Sequence, residues 1–505
     1  MNRIYFFLIV ALSFSTVNAQ GVVDGVRYAN DDLNGTARFN AMAGAFGALG
    51  GDLSAMATNP AGSAVFLDNS FAVSMTIRDR ENTSTYFNGV AQSIDTDFSL
   101  NQVGGVFVFD NQNTESNWKK FTLGLEYNNS NNFDDDLFIA GTGNNSIAQF
   151  FVAQAQGIPL DLLQLQSGES ISDLYAFLGE TQGVAAQNAF LGYQGFIIDP
   201  LENDPGNTAY ISNVAPGSFN QKYSLLSDGY SGKYTLNLGA QYTDDLFFGI
   251  NLNSHLIDYD QSTYLFEANT NAGSTVQRIG FENNLSVLGA GFSAQVGAIA
   301  KIANNLRLGV AYDTPTWYEI SEETTQYLET RHTFDGASAT EIIDPRVVNV
   351  YADYNLRTPG KLMASAAYVF GQRGLLSFEY SYKDYSNVEF SPENDAVFAF
   401  QNAQINNILT GASTYRLGGE YRFENISLRG GYRYEESPYS DGSTVGDLTG
   451  YSAGLGYNFG NYFFDISYAY AERDQNQQLY SVGLTDRAFT ETQSSNIVFT
   501  LGFSL

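Results

Sequence analysis

The sequence predicts an all-β fold: a closed antiparallel transmembrane β-barrel of about fourteen strands, with its lumen plugged by the N-terminal segment. Three observations favour it. Many segments alternate bulky apolar residues with small or polar ones. Short and long connections follow each other in turn along the chain. After the N-terminus, no apolar run reaches the ~20 residues that a membrane-spanning helix needs.

Residues 1–19 are predicted to be an export signal. Arg3 supplies the positive charge, residues 4–14 form a short apolar run, and residues 17–19 fit a small-residue cleavage site. We therefore expect the mature chain to begin at Gln20.

Alternation is clearest at the C-terminal end, where Ile497, Phe499 and Leu501 share one face and Thr500 and Gly502 share the other. The same pattern recurs over residues 376–382, 451–459 and 464–470. Alternation alone would also suit a secreted all-β adhesin, because a soluble sandwich shows it too.

The connections favour the membrane barrel. Short breaks are expected at residues 111–117, 243–245, 303–305, 371–374, 424–425 and 460–461. Long polar connections are expected at residues 80–97, 129–230, 262–284, 319–356, 387–411, 437–448 and 474–495. Tight periplasmic turns and long extracellular loops give this rhythm. We therefore predict a barrel over residues 67–505 with a long extracellular loop at 129–230.

Between these breaks lie fourteen predicted strands, and a sheet in lipid must close because an open edge would leave backbone groups unpaired. Their expected centres are residues 71–79, 98–110, 120–128, 230–242, 246–260, 285–300, 306–318, 357–370, 375–387, 414–423, 426–437, 449–459, 462–473 and 496–505.

The segment 20–66 has no strand alternation. Phe39, Met42, Phe46 and Leu49 form one helical stripe, and a turn at residues 60–62 ends the segment. It is too short to span a bilayer and too apolar for free solution, so we expect it inside the lumen as a plug.

Composition excludes several functions. The net charge is −30, from 54 acidic and 24 basic residues, which argues against a nucleic-acid partner. The chain has no Cys and only two His, so we expect no metal site, no cofactor and no catalytic site. A Gly-x-Ser-x-Gly pattern at residues 450–454 lies within a β alternation and lacks the strand–turn–helix context of a hydrolase. We do not expect an enzyme.

The plug carries a resemblance to a known family. Residues 37–62, ending Asn59-Pro60-Ala61-Gly62, resemble the hatch of FadL/TodX-type outer-membrane transporters of long-chain fatty acids and other hydrophobic compounds. Weaker similarities are found at residues 306–315, 357–360 and 428–438. The resemblance implies a fourteen-stranded barrel in outer-membrane lipid, a monomer that takes up a hydrophobic small molecule by diffusion.

It also implies three stages of transport: an apolar groove among the extracellular loops, a pocket above the hatch, and a lateral opening where the third strand kinks. For the hatch gate we predict Asn59, Pro60, Ala61 and Gly62. For the apolar pocket we predict Phe39, Met42, Phe46 and Met56, although ordinary packing of the plug explains them as well. For the loop groove we predict Leu160, Leu162, Leu163, Leu174, Phe177 and Leu178, which could equally pack on one another as a cap. For the strand-3 kink we predict Asn128, Asn129 and Ser130, where a plain strand end is the alternative.

A different class of function stays open. The same barrel could be a surface receptor, for instance for haem, with His332 in a predicted extracellular extension as the iron ligand.

Overall fold

The computed structural model describes residues 21–113 and 115–505, so the predicted signal peptide at 1–19 lies outside it. Fourteen antiparallel strands form one sheet, and its first and last strands pair from Ser70↔Ser504 to Thr85↔Phe489. The sheet therefore closes into a barrel, as predicted.

The N-terminal segment is helical and precedes the first strand. Its elements are α1 (Val22–Ala29), α2 (Ala37–Ala41), α3 (Leu53–Thr58) and a 3₁₀ helix (Pro60–Val65). Side chains cap three of them: Thr36 accepts from the Phe39 N–H, Asp52 from Ser54, and Asn59 from Ala61. We call residues 22–65 the hatch.

The first three barrel strands comprise four segments: β1 (Ser70–Tyr86), β2 (Gly89–Asp110), β3 (Trp118–Asn132) and its continuation β4 (Asp135–Gly143). An insertion follows, with α4 (Ala148–Ala155), a 3₁₀ helix (Leu160–Leu163), α5 (Ile171–Thr181), α6 (Val184–Gln194), β5 (Ile198–Pro200) and β6 (Tyr210–Ser212). It ends at Phe219, which pairs with Gly143. We call residues 144–218 the cap.

The remaining wall has eleven strands, of which three are interrupted. The uninterrupted strands β7 to β9 are Phe219–Tyr242, Leu246–Ala268 and Val276–Ala303. The interrupted ones are β10 with β11 (Leu306–Asp313, Trp317–Phe334), β12 to β15 (Ala337–Ile343, Asn349–Val350, Tyr354–Arg357, Lys361–Val369), and β16 with β17 (Gly374–Asp384, Glu389–Ser391). After a 3₁₀ turn (Tyr385–Asn387) and α7 (Ala396–Ile408) come β18 to β22: Gly411–Phe423, Ile426–Glu435, Val445–Asn458, Tyr462–Gln478 and Arg487–Ser504.

The barrel is taller than predicted because several expected loops are strands. Residues 80–97 form a hairpin that turns at Phe87, and residues 319–356 turn at Asp335 and Gly336, all three with positive φ. The predicted loop 129–230 is likewise strand up to Gly143 and again from Phe219, which leaves 144–218 as the connection. Both faces of these extensions are rich in polar residues, so the apolar–polar alternation that marks a strand fades there.

The lower wall carries an outward apolar row. Phe107, Leu125, Leu238 and Phe464, on β2, β3, β7 and β21, are exposed although they are large and apolar. Within the described residues, no helix has the length and apolar character to cross a membrane. The strands therefore carry an apolar outer surface, which is typical of outer-membrane barrels.

The three largest of five apolar cores in the described residues follow one another from the top of the interior downward. The largest lies in the cap and includes Phe151, Leu178 and Phe190. The second joins α1 and α7 to the upper wall, and the third lies in the hatch around Phe46. The lumen is thus packed over much of its height.

Candidate functional site

The hatch touches the wall where the wall strands carry glycine. A Cβ on Gly249 would lie 2.2 Å from the Pro60 carbonyl carbon, and one on Gly309 would lie 2.2 Å from the Gly47 oxygen. A Cβ on Gly297 would lie 2.0 Å from the side-chain oxygen of Asn59. These glycines let the backbone of the hatch approach the sheet closely.

Asn59 fixes this contact. Its Nδ2 donates to the carbonyl of Gly47 at 2.7 Å and lies 3.2 and 3.3 Å from the wall carbonyls of Ala298 and Val310. Its Oδ1 accepts from the Ala61 N–H at 3.1 Å.

Three wall amides hold the neighbouring hatch carbonyls. Asn237 donates to Pro60 at 2.9 Å, Asn251 to Met56 at 2.8 Å and Gln295 to Ala57 at 3.0 Å. The predicted gate residues, Asn59, Pro60, Ala61 and Gly62, are all buried in this contact. In this conformation they are an anchor on the β7–β10 side of the barrel.

The four predicted pocket residues are buried as well. Phe39 and Phe46 pack ring against ring at 5.5 Å, Met42 lies against Gly418, and Met56 lies against Gly124. All of them pack within the hatch or against the wall, so this conformation presents none of them to an open pocket.

Below the hatch, charged side chains form a network that faces the periplasmic turns. Glu420 accepts from Arg38 of the hatch at 2.8 Å and from Arg429 at 2.7 Å, and Arg429 also pairs with Asp465 at 2.5 Å. This network lines a cavity of about 1100 Å³. The lower end of the lumen therefore carries charged side chains that disfavour an apolar ligand.

Above the hatch helices α2 and α3, Asp31 lies inside the barrel, although its side chain is 52 % exposed. Lys383 lies 3.4 Å from it on one wall, and the charges of Lys361 and Lys233 act on it from both sides of the barrel. Burial favours the neutral acid, but these bases outweigh burial and hold the pKa of Asp31 well below its usual range. We call the surroundings of Asp31, Lys383, Lys361 and Lys233 the chamber; three lysines meet there, and Lys361 also pairs with Asp313 at 3.0 Å.

Helix α1 lies over the chamber within the second apolar core. Val22 and Val26 pack there with Tyr259, Ile320 and Leu356. The chamber thus combines basic side chains with an apolar ceiling, which suits a molecule with an anionic head and an apolar tail.

The third strand leaves the wall beside the chamber. β2 and β3 pair only from Asp110↔Lys120 to Gln102↔Asn128. Just beyond, a register shift between Asn129 and Asn131 marks a β-bulge at Ser130 against β7. We call this point the bend. It falls on the predicted kink residues Asn128, Asn129 and Ser130.

Above the bend, β4 lies inside the first hairpin instead of pairing with β2. Main-chain carbonyls along the free edge of residues 132–138 accept side-chain bonds: Arg78 donates to Asn132 at 3.0 Å, Asn82 to Asp136 at 2.9 Å, and Ser84 to Phe138 at 2.6 Å. Side chains replace a partner strand here. The upper part of β2, residues 89–101, consequently pairs with β1 alone.

An apolar groove of about 550 Å³ lies on the outer face below the bend. Its side chains include Val103, Leu125, Tyr127, Tyr234 and Leu252. The interruption of the ladder therefore adjoins an apolar surface on the outside of the barrel.

The predicted loop groove is largely interior. Leu160, Leu163, Leu174 and Leu178 belong to the core of the cap, and Leu162 packs against it. Phe177 is 46 % exposed and is the one member of the set on the surface. In this conformation the leucines form the packed cap that was the alternative.

His332 is also interior. It is 6 % exposed and lies between the rings of Phe196 and Phe334, at 4.6 and 5.0 Å. A haem iron could reach it only after these rings move, so the geometry does not favour the receptor hypothesis.

Comparison with known proteins decides the family. Residues 229–505, more than half of the chain, match the family described as outer membrane protein transport protein (OMPP1/FadL/TodX). The chain belongs to this family. The OMPP1/FadL/TodX assignment places it in the outer membrane and agrees with the resemblance in the hatch.

Solved structures share the fold of this OMPP1/FadL/TodX chain. The toluene transporter TodX of Pseudomonas putida superimposes with a TM-score of 0.52 at 14 % identity, over 94 % of this chain and 99 % of its own. A FadL homologue of Pseudomonas aeruginosa gives 0.53 at 12 %, over 94 % and 98 %, and the monoaromatic hydrocarbon channel CymD gives 0.51 at 13 %, over 94 % and 99 %. No curated protein sequence matches the chain.

Sequence reasoning missed the basic lining. Lys233 occupies an inward position of a strand in which Tyr234 and Leu236 point outward, and Lys361 and Lys383 lie at the upper ends of β15 and β16. The sequence does show a charged residue on the inner face of an alternating strand. The strand pattern alone does not show which inward residues of different strands lie at the same level of the barrel.

Proposed function

We propose that this protein carries long-chain fatty acids, or other apolar molecules with a carboxylate, across the outer membrane by diffusion. The basic chamber beneath an apolar ceiling supports the anionic class of cargo, because a carboxylate would exchange places with Asp31 among the same bases. Burial of the tail supplies binding free energy at ~0.8 kcal/mol per CH₂ without covalent chemistry.

The bend carries the proposed route. A ligand in the chamber lies beside the one place where β2 and β3 stop pairing, and an apolar groove adjoins that place on the lipid face. We infer that the cargo leaves sideways into the bilayer, since the polar network below the hatch disfavours an apolar tail. The protein acts as a monomer in this proposal, because one chain supplies wall, hatch and bend.

The test is uptake of oleate by cells that depend on this protein for it. Deleting Ser130 removes the bulge and is expected to lower uptake at least tenfold, whereas Ser130→Gly keeps the bulge and serves as the matched control. The difference in gel mobility between heated and unheated samples shows whether each barrel has folded. Full uptake without the bulge, or uptake of toluene with no uptake of oleate, would contradict the proposal.

A further inference from the structure

A bulge in β2 turns two consecutive side chains onto the hatch. Ser74 pairs with Gln102 and Met75 pairs with Leu100, so Asn101 is the extra residue. Asn101 donates from Nδ2 to the Gly35 carbonyl at 2.7 Å, and Gln102 accepts from the Ser54 hydroxyl at 2.9 Å. Without the bulge, one of these two residues would face outward.

The contact with Gln102 continues in both directions. Within the hatch, Thr36 donates to Asp52 at 2.8 Å, and the Thr36 N–H donates to the Ser54 hydroxyl at 2.7 Å. Toward the wall, Gln102 donates from Nε2 to Glu126 at 2.6 Å. A line of buried hydrogen bonds thus runs from hatch to strand 3.

The line ends at the bend. Asn128 donates to the same oxygen of Glu126 at 3.3 Å, and Asn128 and Gln102 form the last rung between β2 and β3. The second oxygen of Glu126 has no hydrogen-bond partner within the described residues. The position of this carboxylate therefore depends on Gln102 and Asn128.

We propose that Gln102 and Glu126 are positioning residues that couple the hatch to the bend. When α3 shifts, Ser54 moves the Gln102 amide, and the amide moves the carboxylate that orients Asn128, two residues before the bulge. The inference deepens the proposed function and rests on it for its purpose, because a lateral exit tied to the hatch would open only when the plug responds to cargo.

The other hatch–wall bonds make a contrast. Asn237 also donates to a hatch carbonyl, that of Pro60, but it lies in β7 where pairing with β8 runs unbroken to Tyr242↔Leu246. Around Asn237, β7 is paired on both sides without a bulge, so a shift of Asn237 has no bend to displace. Asn237 therefore supplies a matched control for Gln102.

The test is a ligand-free double-mutant cycle. The chain has no cysteine, so Ser130→Cys places a single thiol at the bend of the full-length protein in nanodiscs, and its rate of maleimide labelling is measured. Ser54→Ala and Gln102→Leu each break the Ser54–Gln102 hydrogen bond together with one further buried bond, and each is expected to raise the rate at least fivefold. Together they should give no further increase, because both break one line.

Asn237→Leu should leave the rate within about twofold of the parent, since it breaks a hatch contact outside the line. Unchanged rates in both single variants, additive effects in the double variant, or an equal effect of Asn237→Leu would each overturn the coupling. Oleate uptake by the same variants is measured separately. If the labelling rates show no coupling but oleate uptake is normal, this inference alone is contradicted. If the labelling rates show the expected coupling but the parent protein takes up no oleate, the proposed function alone is contradicted.

Discussion

The guanidinium of Arg78 donates a hydrogen bond to the main-chain carbonyl of Asn132, across the join between the first hairpin and strand 3. A second bond reaches the carbonyl of Asp134 at 3.1 Å, and Asp32 of the hatch lies 3.6 Å away. One side chain thus joins hairpin, strand and hatch, and it lies at the lower end of the unpaired edge.

Replacing this side chain should loosen the upper part of strand 3. Arg78→Met removes charged donors from two buried carbonyls, which should cost about 1.5–3 kcal/mol locally. We expect faster amide hydrogen exchange over residues 131–138. Arg80→Met is the control, because Arg80 lies on the same face and pairs with the side chain of Asp135 at 3.5 Å, and within the described residues it donates to no main-chain carbonyl. Equal exchange in both variants would refute the role of Arg78.

The chamber makes a prediction about ligand affinity. Asp31→Asn removes a carboxylate that competes for the bases, so oleate should bind about fivefold more tightly, as for ~1 kcal/mol between unit charges in a well-solvated site. Lys383→Met should weaken binding by a similar factor. The pKa of Asp31 lies well below its usual range, so the effect should be constant between pH 6 and 8. Displacement of a fluorescent fatty acid measures it, and tighter binding in Lys383→Met would contradict the chamber as a carboxylate site.

The wall glycines predict how firmly the hatch is seated. Gly297→Ala drives a Cβ against Asn59 and Pro60, so the hatch should shift and ion conductance in planar bilayers should rise severalfold. Gly430→Ala is the control, since the nearest atom to its Cβ, the Ser452 oxygen, is 3.7 Å away. A conductance unchanged from the parent in Gly297→Ala would show that the contact is dispensable.

The anchor itself gives a related expectation. Asn59→Ala removes the donors to Gly47 and to two wall carbonyls, so oleate uptake should fall while the barrel still folds. Uptake at the parental level with normal heat-modified mobility would count against any role of this anchor in transport.

The cap predicts a pH dependence. Glu267 accepts from Ser146, from Gln221 at 2.7 Å and from the Ile147 N–H at 2.9 Å. Burial raises its pKa, only partly offset by these bonds. A carboxyl with a raised pKa in the folded state binds protons more readily when folded, so its contribution to stability is complete below the ordinary glutamate pKa and is lost as pH rises through the raised value.

The resistance of the cap to proteolysis should therefore increase from pH 7 to pH 5 in the parent protein. Glu267→Gln should remove that part of the pH dependence. An identical pH profile in the two proteins would show that Glu267 does not control it.

The sequence predicted the scaffold well for a physical reason. Where lipid lies outside and a polar lumen inside, each strand must alternate, as residues 497–505 do, and tight turns mark one rim. Above the membrane both faces meet water or the cap, so the pattern fades, and residues 80–97 read as a loop although they form a hairpin.

The site was harder to predict because it depends on which residues share a height in the barrel. The bend was predicted from Asn128, Asn129 and Ser130, since such residues disfavour strands. The partners of Glu126 and the bases around Asp31 come from segments far apart in the chain, and the bulge at Asn101 sets the register that turns Gln102 inward. Apolar character likewise could not separate an open groove from the packed leucines of the cap.

The pairing of Gly143 in β4 with Phe219 in β7 has an evolutionary consequence. The 75 residues between them (218 − 143) begin and end at neighbouring positions of the wall, so they form one insertion in an otherwise closed barrel. The cap can therefore change in length during evolution without altering the register of the barrel strands. The core of the cap also contains wall residues such as Leu265 and Phe281, so a change in the cap must preserve that packing.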